Sequence, residues 1–538
     1  MSRELISKLP EDLIIQIAAY SSIADVFALK QTCRSLNRMT DSDYLWHQIL
    51  PRAELPLDLS PFNDFRKFTA TELRDSALRA LKLRKNWANK YPQVRNWSIA
   101  KPPSYEGTFD DLKLLNNASI LLGVRRDRHS QRPSMIVSAF TLLDVSNPRL
   151  VVQICIPVIM KDFDACVEDE GTTLILAASA TKMGSECLEV YAIQIPVSAS
   201  TICTGSYGTT YSFRLNEGDF FHKVSLHGDF LASSIPTHID SEGRHVPQVL
   251  IANWKTRQQI TVVPQFDKPI ETVNIKVLQP DVAIIVASES SVRVILAPLS
   301  VITHGSVNEQ PYTSRSKQQS LPQFPYAEAP IMDFYDISIS SNTGFGPYVP
   351  PTSLSLIVFP TLSRLDVRQS KKALYIRFAI HSTMSTPPNS VPATPSPVSP
   401  SSSCSSSSKL SDYDFDALLA KNRSHSPSSI LMSSIHSDLS TPFDLPVGSY
   451  PEHTEIGTTG RRAVWVEQSL KSDYVQILRF DYDHVNDRQR PPSVSVLLPP
   501  EPQLPFKPSS VRSLAFDEAT GRLCAGLYNG SVYILDYV

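Results

Sequence analysis

Apolar residues along this chain follow two different periods. Between residues 5 and 50 the spacing is helical. Leu13, Ile14 and Ile17 form a stripe at i, i+1, i+4, Val26 and Leu29 lie three apart, and Leu45 and Trp46 close the stretch. Pro10 suits a first helical position, and Glu11 and Asp12 place negative charge in the first turn. Asp25 can cap a second short helix, and Asp41 or Ser42 a last one. Helices this short are marginal alone in water, so the segment predicts a small packed bundle. Its core is limited, and apolar surface left outside reads as a face for a partner. Further on, Thr69 and Glu72 form a capping box, and Leu73, Ala77 and Leu81 recur at i, i+4, i+8 toward Trp87. These residues predict one longer helix within a helical linker over 51–100.

From about residue 105 the period shortens. Runs such as ASILLGV (118–124), TTLILAASA (172–180), QVLIANW (248–254) and LSLIVFP (354–360) are β-branched or aromatic and bounded by turn residues. Twenty or more strands follow, with almost no helices, at the spacing of an antiparallel all-β array. The terminal VRSLAFDEATGRLCAGLYNGSVYILDYV reads strand, turn, strand, turn, strand, with Asn529-Gly530 as a tight hairpin signal. About 430 residues of strands in one domain most naturally close as a β-propeller of six to eight blades, since closure leaves few edges exposed. The 18 glycines are about half the usual ~7 % share, and no clean repeat of ~40–45 residues stands out. A sandwich pair or an irregular barrel therefore stays open. The fold class is α+β multidomain: a small helical unit (5–50), the linker (51–100), and a large β domain in two parts (101–383 and 451–538).

Between those parts, 384–450 is rich in Ser and Pro. Such a stretch cannot bury enough apolar surface to offset its ordering entropy, so it predicts a disordered insertion within one domain. It contains Thr386-Pro387, Thr394-Pro395, Ser396-Pro397, Ser399-Pro400, Ser426-Pro427 and Thr441-Pro442, dipeptides at which phosphorylation would add negative charge.

Composition narrows the function. Net charge is −2, which argues against nucleic acid or an anionic membrane as partner. The run Arg125, Arg126, Asp127, Arg128 reads as a solvated loop. Seven scattered cysteines without a CxxC pair fit reduced thiols in cytoplasm or nucleus rather than disulfides or zinc. No signal-peptide pattern opens the chain, and no apolar run approaches the ~18 residues of a membrane span.

The stretch LISKLPEDLIIQIAAYSSIADVFALKQTCRSLNRMTDSDYLWHQIL (5–50) resembles an F-box without a gap. The matching positions are the opening Leu9-Pro10 with its acidic pair, Cys33-Arg34, Leu36 and the closing Leu45-Trp46. Ser21 departs from it, since the family usually has an apolar residue at the end of the first helix. The resemblance implies a docking module for the Skp-type adaptor of a cullin-based ubiquitin ligase. The contacts it implies fall on Leu9, Pro10, Leu13, Ile14, Ile17, Val26, Leu29, Cys33, Leu36, Leu45 and Trp46. VYILDYV, with Asp536, and the Trp254-Lys255-Thr256 ending are similar to WD-type repeats. The order of F-box then propeller resembles F-box proteins of the WD-repeat type, and Arg84 to Trp87 (RKNW) looks like fungal F-box families.

No catalytic signature is present: no GxSxG, GxxxxGK[ST], HExxH or GxGxxG. His222 and His227 flank a short strand and read as turn residues facing solvent. Asp162, Asp164, Glu168, Asp169 and Glu170 read as a solvated acidic loop, and Cys33 as a small core residue. The expected function is a substrate receptor of a Skp–cullin–F-box ligase, not an enzyme, with no cofactor and an unknown target protein on the β domain. The alternatives are an F-box scaffold outside the ligase, or a propeller enzyme with carboxylates or histidines converging at its axis.

Overall fold

The computed structural model describes residues 9–538, apart from 54, 60–64, 103–106, 128–129, 197–202, 205–206, 216–217, 237–245, 265, 267, 301, 303–323, 332–333, 343–352, 362–370, 385–430, 471–473, 483–491 and 499–504. Five helices come first: α1 (Glu11–Ala19), α2 (Ile23–Lys30), α3 (Arg34–Met39), α4 (Asp43–Ala53) and α5 (Ala70–Trp87). Pro10 stands one position before α1, where its carbonyl accepts the N–H groups of Leu13 and Ile14 at 3.1 and 3.2 Å. The cap of α2 is Ser22 rather than Asp25: its hydroxyl accepts the Asp25 N–H at 3.1 Å. Asp25 instead lies in the first turn, where its charge favours the dipole. The Thr69–Glu72 capping box forms in full at the start of α5.

α5 belongs to two cores. Its first half, through Leu73, Ala77 and Ala80, packs with Val26, Leu45 and Trp46 of the bundle. Its second half, through Leu83 and Trp87, packs with Leu523, Leu535 and Tyr537 of the β domain. The helix thereby supplies apolar area that a bundle of four short helices lacks.

The β domain is a ring of seven sheets, a seven-bladed propeller. Blade 1 spans 111–156, blade 2 159–214, blade 3 224–262, blade 4 272–330, blade 5 334–444, blade 6 449–496 and blade 7 511–536. The innermost strands touch in cyclic order, and that of blade 7 (Val511–Asp517) returns to that of blade 1 (Asp111–Leu115). Blade 7 is completed on its outside by Asn96–Ala100, antiparallel to Val532–Asp536, with Asn96 opposite Asp536 and Ala100 opposite Val532. The expected helical linker thus ends before residue 96, because its last residues are a strand. This junction joins the two ends of the ring in one sheet. Val532–Asp536 lies between two neighbours, as its two-sided apolar pattern predicts. A short strand, Cys203–Thr204, runs back from blade 2 and adds in parallel to the outside of blade 1.

The scarcity of glycine has a local explanation. Seven other residues, among them Asn116, Asn117, Asp169 and His453, hold φ between +49° and +62°. Asn and Asp tolerate this region better than most side chains. Gly530 keeps its turn for a different reason: a Cβ there would lie 2.7 Å from the Gly107 carbonyl oxygen.

The Ser/Pro-rich stretch ends earlier than 450. Leu431–Asp444 is the outermost strand of blade 5 and pairs with Lys372–Met384. Ile435, Leu439 and Phe443 face inward, whereas the alternating Ser and Thr residues obscure the strand in composition. Pro442 is tolerated because an outer strand needs no ladder on its free side. Of the Ser/Thr-Pro dipeptides, Thr441-Pro442 lies in this strand, and the others fall outside the described residues.

Candidate interaction surfaces

α1 shows two faces. Ile14, Ala18 and Ala19 are buried against the bundle. Leu9, Leu13, Ile17 and Tyr20, spaced by four, four and three, stay 38, 45, 56 and 82 % exposed. They make one apolar stripe along the outside, and Pro10 beside it is exposed as well. Ser21 turns away from that stripe, its hydroxyl donating to the Ile17 carbonyl at 3.0 Å. Tyr20 lengthens the stripe by one position beyond what the family pattern indicated.

The other residues named from the resemblance are placed differently. Val26, Leu45 and Trp46 are fully buried, and Leu36 nearly so; they build the bundle rather than its surface. The Trp46 indole N–H donates to the Thr40 carbonyl at 2.8 Å, and its ring meets Phe27 at 5.5 Å. Leu29 is half-buried. Cys33 is exposed at the start of α3 rather than in the core. It lines a groove of about 730 Å³ with Phe27, Lys30, Arg34, Arg74 and Leu78.

The contact between α5 and the ring centres on Trp87. Its indole stacks on Phe516 at 5.4 Å and meets Tyr537 edge-on at 5.8 Å, with the Arg462 and Arg479 guanidinium groups 5.6 and 5.7 Å from its centre. The neighbouring Asn86 side-chain amide donates to the carbonyls of Gln93 and Tyr537 at 2.8 and 2.7 Å. These contacts lie at the far end of the innermost strand of blade 7, where Leu83 also covers the Gly521 turn. The near end of the same strand, at Arg512, opens on a cavity of about 740 Å³ lined by Gly107, Thr108, Asp110, Arg126 and Tyr528. The helical unit therefore holds one face of the ring at blade 7, and the cavity lies on the opposite face.

The ring axis is polar, which the sequence reading missed. Asp111 and Lys113 come from the innermost strand of blade 1, Asp162 and Asp164 from blade 2 (Ile159–Glu168), and His227 from blade 3 (Val224–His227). Lys276 comes from blade 4 (Thr272–Leu278) and Glu455 from blade 6 (Ser449–Ile456). Asp162 and Asp164 are not part of a solvated loop. Asp162 Oδ2 accepts the Val224 N–H at 2.7 Å and Asp164 Oδ2 the Leu226 N–H at 2.8 Å. They satisfy the open edge of the next blade's inner strand, a role of buried acceptors rather than chemistry. Asp164 Oδ1 also pairs with Lys113. Burial works to raise the Asp164 carboxyl, but the two lysines, Lys113 first, more than offset it and leave it below the usual range. Desolvation by the surrounding blades pushes Asp111 up to about 6 and Glu455 up to about 8, and pulls Lys276 down, although Asp111 stays exposed and the other two are half-buried. The spacing of Asp162 and Asp164 at i, i+2 within a strand was the available signal, since it sets both on one face.

Three further expectations change. Arg125 and Arg126 lie in a strand (Ile120–Arg126), and Arg125 is buried over the Phe109 ring at 6.0 Å. Glu168 pairs with Lys255 at 3.1 Å. His222 is exposed, but His227 is half-buried toward the axis, and burial, together with Lys276, lowers its pKa. Among the described residues, no group of three or more His, Cys, Asp or Glu side chains could hold a metal ion. No described helix is long and apolar enough to cross a membrane.

Residues 6–52 match the F-box-like family model. The chain is thus an F-box-like domain followed by a seven-bladed propeller. No curated protein matches it in sequence. Among solved structures, it is similar to the β-propeller domain of Myceliophteria thermophila Cps50 (Swd1), at 11 % identity and a TM-score of 0.39, over 82 % of this chain and 99 % of that one.

Proposed function

We propose that this protein is the substrate-receptor subunit of a Skp–cullin–F-box ubiquitin ligase. F-box domains generally dock Skp-type adaptors, and the observation that carries the reading is the α1 stripe. Leu9, Leu13, Ile17 and Tyr20 stay on the surface of a bundle whose core is otherwise closed. A contiguous apolar stripe of this kind favours a partner's apolar surface over water. The propeller would present its other face, the one with the cavity beside Arg126 and Arg512, to a target protein. Bond-making would belong to the conjugating enzyme that the cullin brings; this chain supplies proximity and orientation. Its described free cysteines fit a reducing compartment, cytoplasm or nucleus.

The test is co-purification of the full chain with a Skp-type adaptor and a cullin. Ile17→Asp places a charge in the docking stripe, where desolvating it costs several kcal/mol. Ile17 is 56 % exposed in the free chain, so the substitution leaves the fold intact. Adaptor recovery should fall at least ~10-fold, the factor that 1.4 kcal/mol corresponds to. Undiminished recovery would reject the docking face. Recovery of adaptor without cullin would favour an F-box scaffold acting outside the ligase.

A further inference from the structure

Four polar side chains meet under the C-terminal end of α5, and each has more hydrogen-bonding capacity than its neighbours use. Trp87, Arg462, Arg479 and Tyr537 are 1, 6, 5 and 0 % exposed. Among the described residues, no hydrogen-bond partner reaches Trp87 Nε1, Arg462 Nε and Nη1, Arg479 Nη1 or the Tyr537 hydroxyl, and all five atoms are shut off from solvent. Buried polar atoms are nearly always satisfied, so five orphans in one place need a reason.

Strand register sets the cluster. Val464 stands opposite Arg479 and Arg462 opposite Asp481, so the two arginines are diagonal neighbours on one face of blade 6. Val464 and Val466 on that face pack against Leu514 and Phe516 of blade 7. Trp87 brings α5 to the same place, its ring centre 5.6 and 5.7 Å from the two guanidinium carbons and 5.8 Å from the Tyr537 ring. Contact with the indole face attracts the guanidinium charge but takes up none of its N–H groups, which lie in the guanidinium plane. Arg479 donates from Nε to Ser495 Oγ at 2.8 Å and from Nη2 to the Asn89 carbonyl, which leaves Nη1.

The nearby carboxylates do not answer these donors. Asp481 Oδ1 is 3.7 Å from Arg462 Nε, too far for a hydrogen bond, and its side chain is partly exposed. Glu518 lies near Arg462, but both of its oxygens accept from Thr459, at 2.8 and 2.9 Å. Trp and Arg offer donors only, and two positive charges sit side by side in the core. A water molecule accepts two hydrogen bonds and carries no charge, so it would meet neither demand. An anion meets both, and the guanidinium fork fits an oxyanion. We propose that this cluster binds a small oxyanion of phosphate or sulfate type, gripped by Arg462 and Arg479 with Trp87 Nε1 and the Tyr537 hydroxyl. The ion ties α5 to blade 6 and to the end of the chain that closes blade 7. Adaptor docking lies on α1 and does not depend on it.

The experiment is equilibrium denaturation of the full chain in urea at constant ionic strength, with sodium phosphate, sulfate or chloride replacing a salt of a bulky buffer anion. Phosphate or sulfate should raise the midpoint saturably, as a bound ligand does, and not in the unsaturating way of salts excluded from any protein surface. Chloride should act more weakly. Tyr537→Phe keeps the ring and removes only the hydroxyl. It should need ~10- to 100-fold more phosphate for the same shift, the factor carried by one hydrogen bond to a charged group. Without the anion it should be at least as stable as the natural chain, since the hydroxyl it removes is buried and unsatisfied. Arg462→Gln should abolish the phosphate effect, whereas Arg512→Gln, on the opposite face of the ring, should leave it unchanged. An unsaturating response alone, a saturable shift that is the same in Tyr537→Phe or Arg462→Gln, or chloride acting more strongly than phosphate and sulfate would overturn the proposal.

Discussion

Trp87→Ala tests the claim that α5 makes one body of the helical unit and the ring. The indole is almost fully buried, stacks on Phe516, meets Tyr537 edge-on, and lies against two buried guanidinium groups. Truncating a core Trp to Ala costs about 3–5 kcal/mol in transfer and cavity terms. Arg462 and Arg479 would also lose a ring face worth up to ~2 kcal/mol each in a desolvated setting. These contributions overlap, and the cavity can relax in part, so about 4–6 kcal/mol is expected. That is a large part of the about 5–15 kcal/mol that stabilises a typical domain. The assay is equilibrium denaturation in guanidinium chloride, followed by circular dichroism and by proteolysis within the helical unit. Trp46→Ala serves as comparison, since Trp46 is buried in the bundle alone. Trp87→Ala should lower the midpoints of both parts, and Trp46→Ala that of the bundle only. A Trp87→Ala protein within ~1 kcal/mol of the natural one, or one whose bundle keeps its midpoint while the ring weakens, would refute the shared core.

Glu455→Gln should change how stability responds to pH. The native carboxyl titrates near 8 instead of its ordinary value of 4.5, so the folded chain holds a proton that the unfolded chain releases. Stability from this group is fully present below 4.5 and is lost as pH rises through 8. The loss is at most about 5 kcal/mol across the window, by linkage at 1.36 kcal/mol per pH unit. Denaturation at pH 5, 7 and 9 should show Glu455→Gln with a flatter profile and a gain at pH 9; parallel profiles would refute it. Joining Met384 to Leu431 by a short turn should leave the melting temperature nearly unchanged, because the two residues already pair and loop length enters closure only at ~0.6 kcal/mol per doubling. Extending that deletion to residue 448 removes the outer strand of blade 5 and should destabilise the ring; equal melting of both deletions would contradict the strand. Removing 531–538 should open blade 7, strand Asn96–Ala100 without a partner and cause aggregation, visible by light scattering; a monomeric protein with unchanged melting would exclude the closed ring.

The sequence was most legible where local signals and burial agree. The Thr69–Glu72 capping box, the Asn529-Gly530 hairpin and the two-sided apolar pattern of Val532–Asp536 each act within a few residues, and each forms. Blade number was not legible, because no repeat recurs and because residues such as Asn117 and Asp169 take left-handed turns where glycine would have marked the period. The strand Leu431–Asp444 was lost in its Ser and Thr content, since its few inward apolar residues are divided between two cores, Ile435 in one and Leu439 and Phe443 in the other. At the docking module the sequence indicated the positions but not their side. Leu13 and Ile14 are neighbours, yet one is exposed and the other buried, because one residue turns a helix by about 100°. The axial groups were illegible for a different reason. Asp164, Lys276 and Glu455 are far apart in sequence, and only ring closure brings them together.

That same closure bears on why the helical unit can leave apolar surface uncovered. A bundle of four short helices has little core with which to offset its conformational entropy, and an exposed stripe of Leu and Ile adds nothing to its stability. α5 changes this balance by lending Leu73, Ala77 and Ala80 to the bundle while Leu83 and Trp87 anchor in the ring. Stability thus comes from the face of the bundle that meets α5, and the α1 stripe is free to be shaped by its partner. The arrangement also fixes direction. α5 is one helix of 18 residues, about 27 Å at 1.5 Å per residue, with packed side chains at both ends. A partner on α1 and a target on the far face of the ring would then be held apart by one helix seated in two cores, at a separation set by packing rather than by a flexible tether.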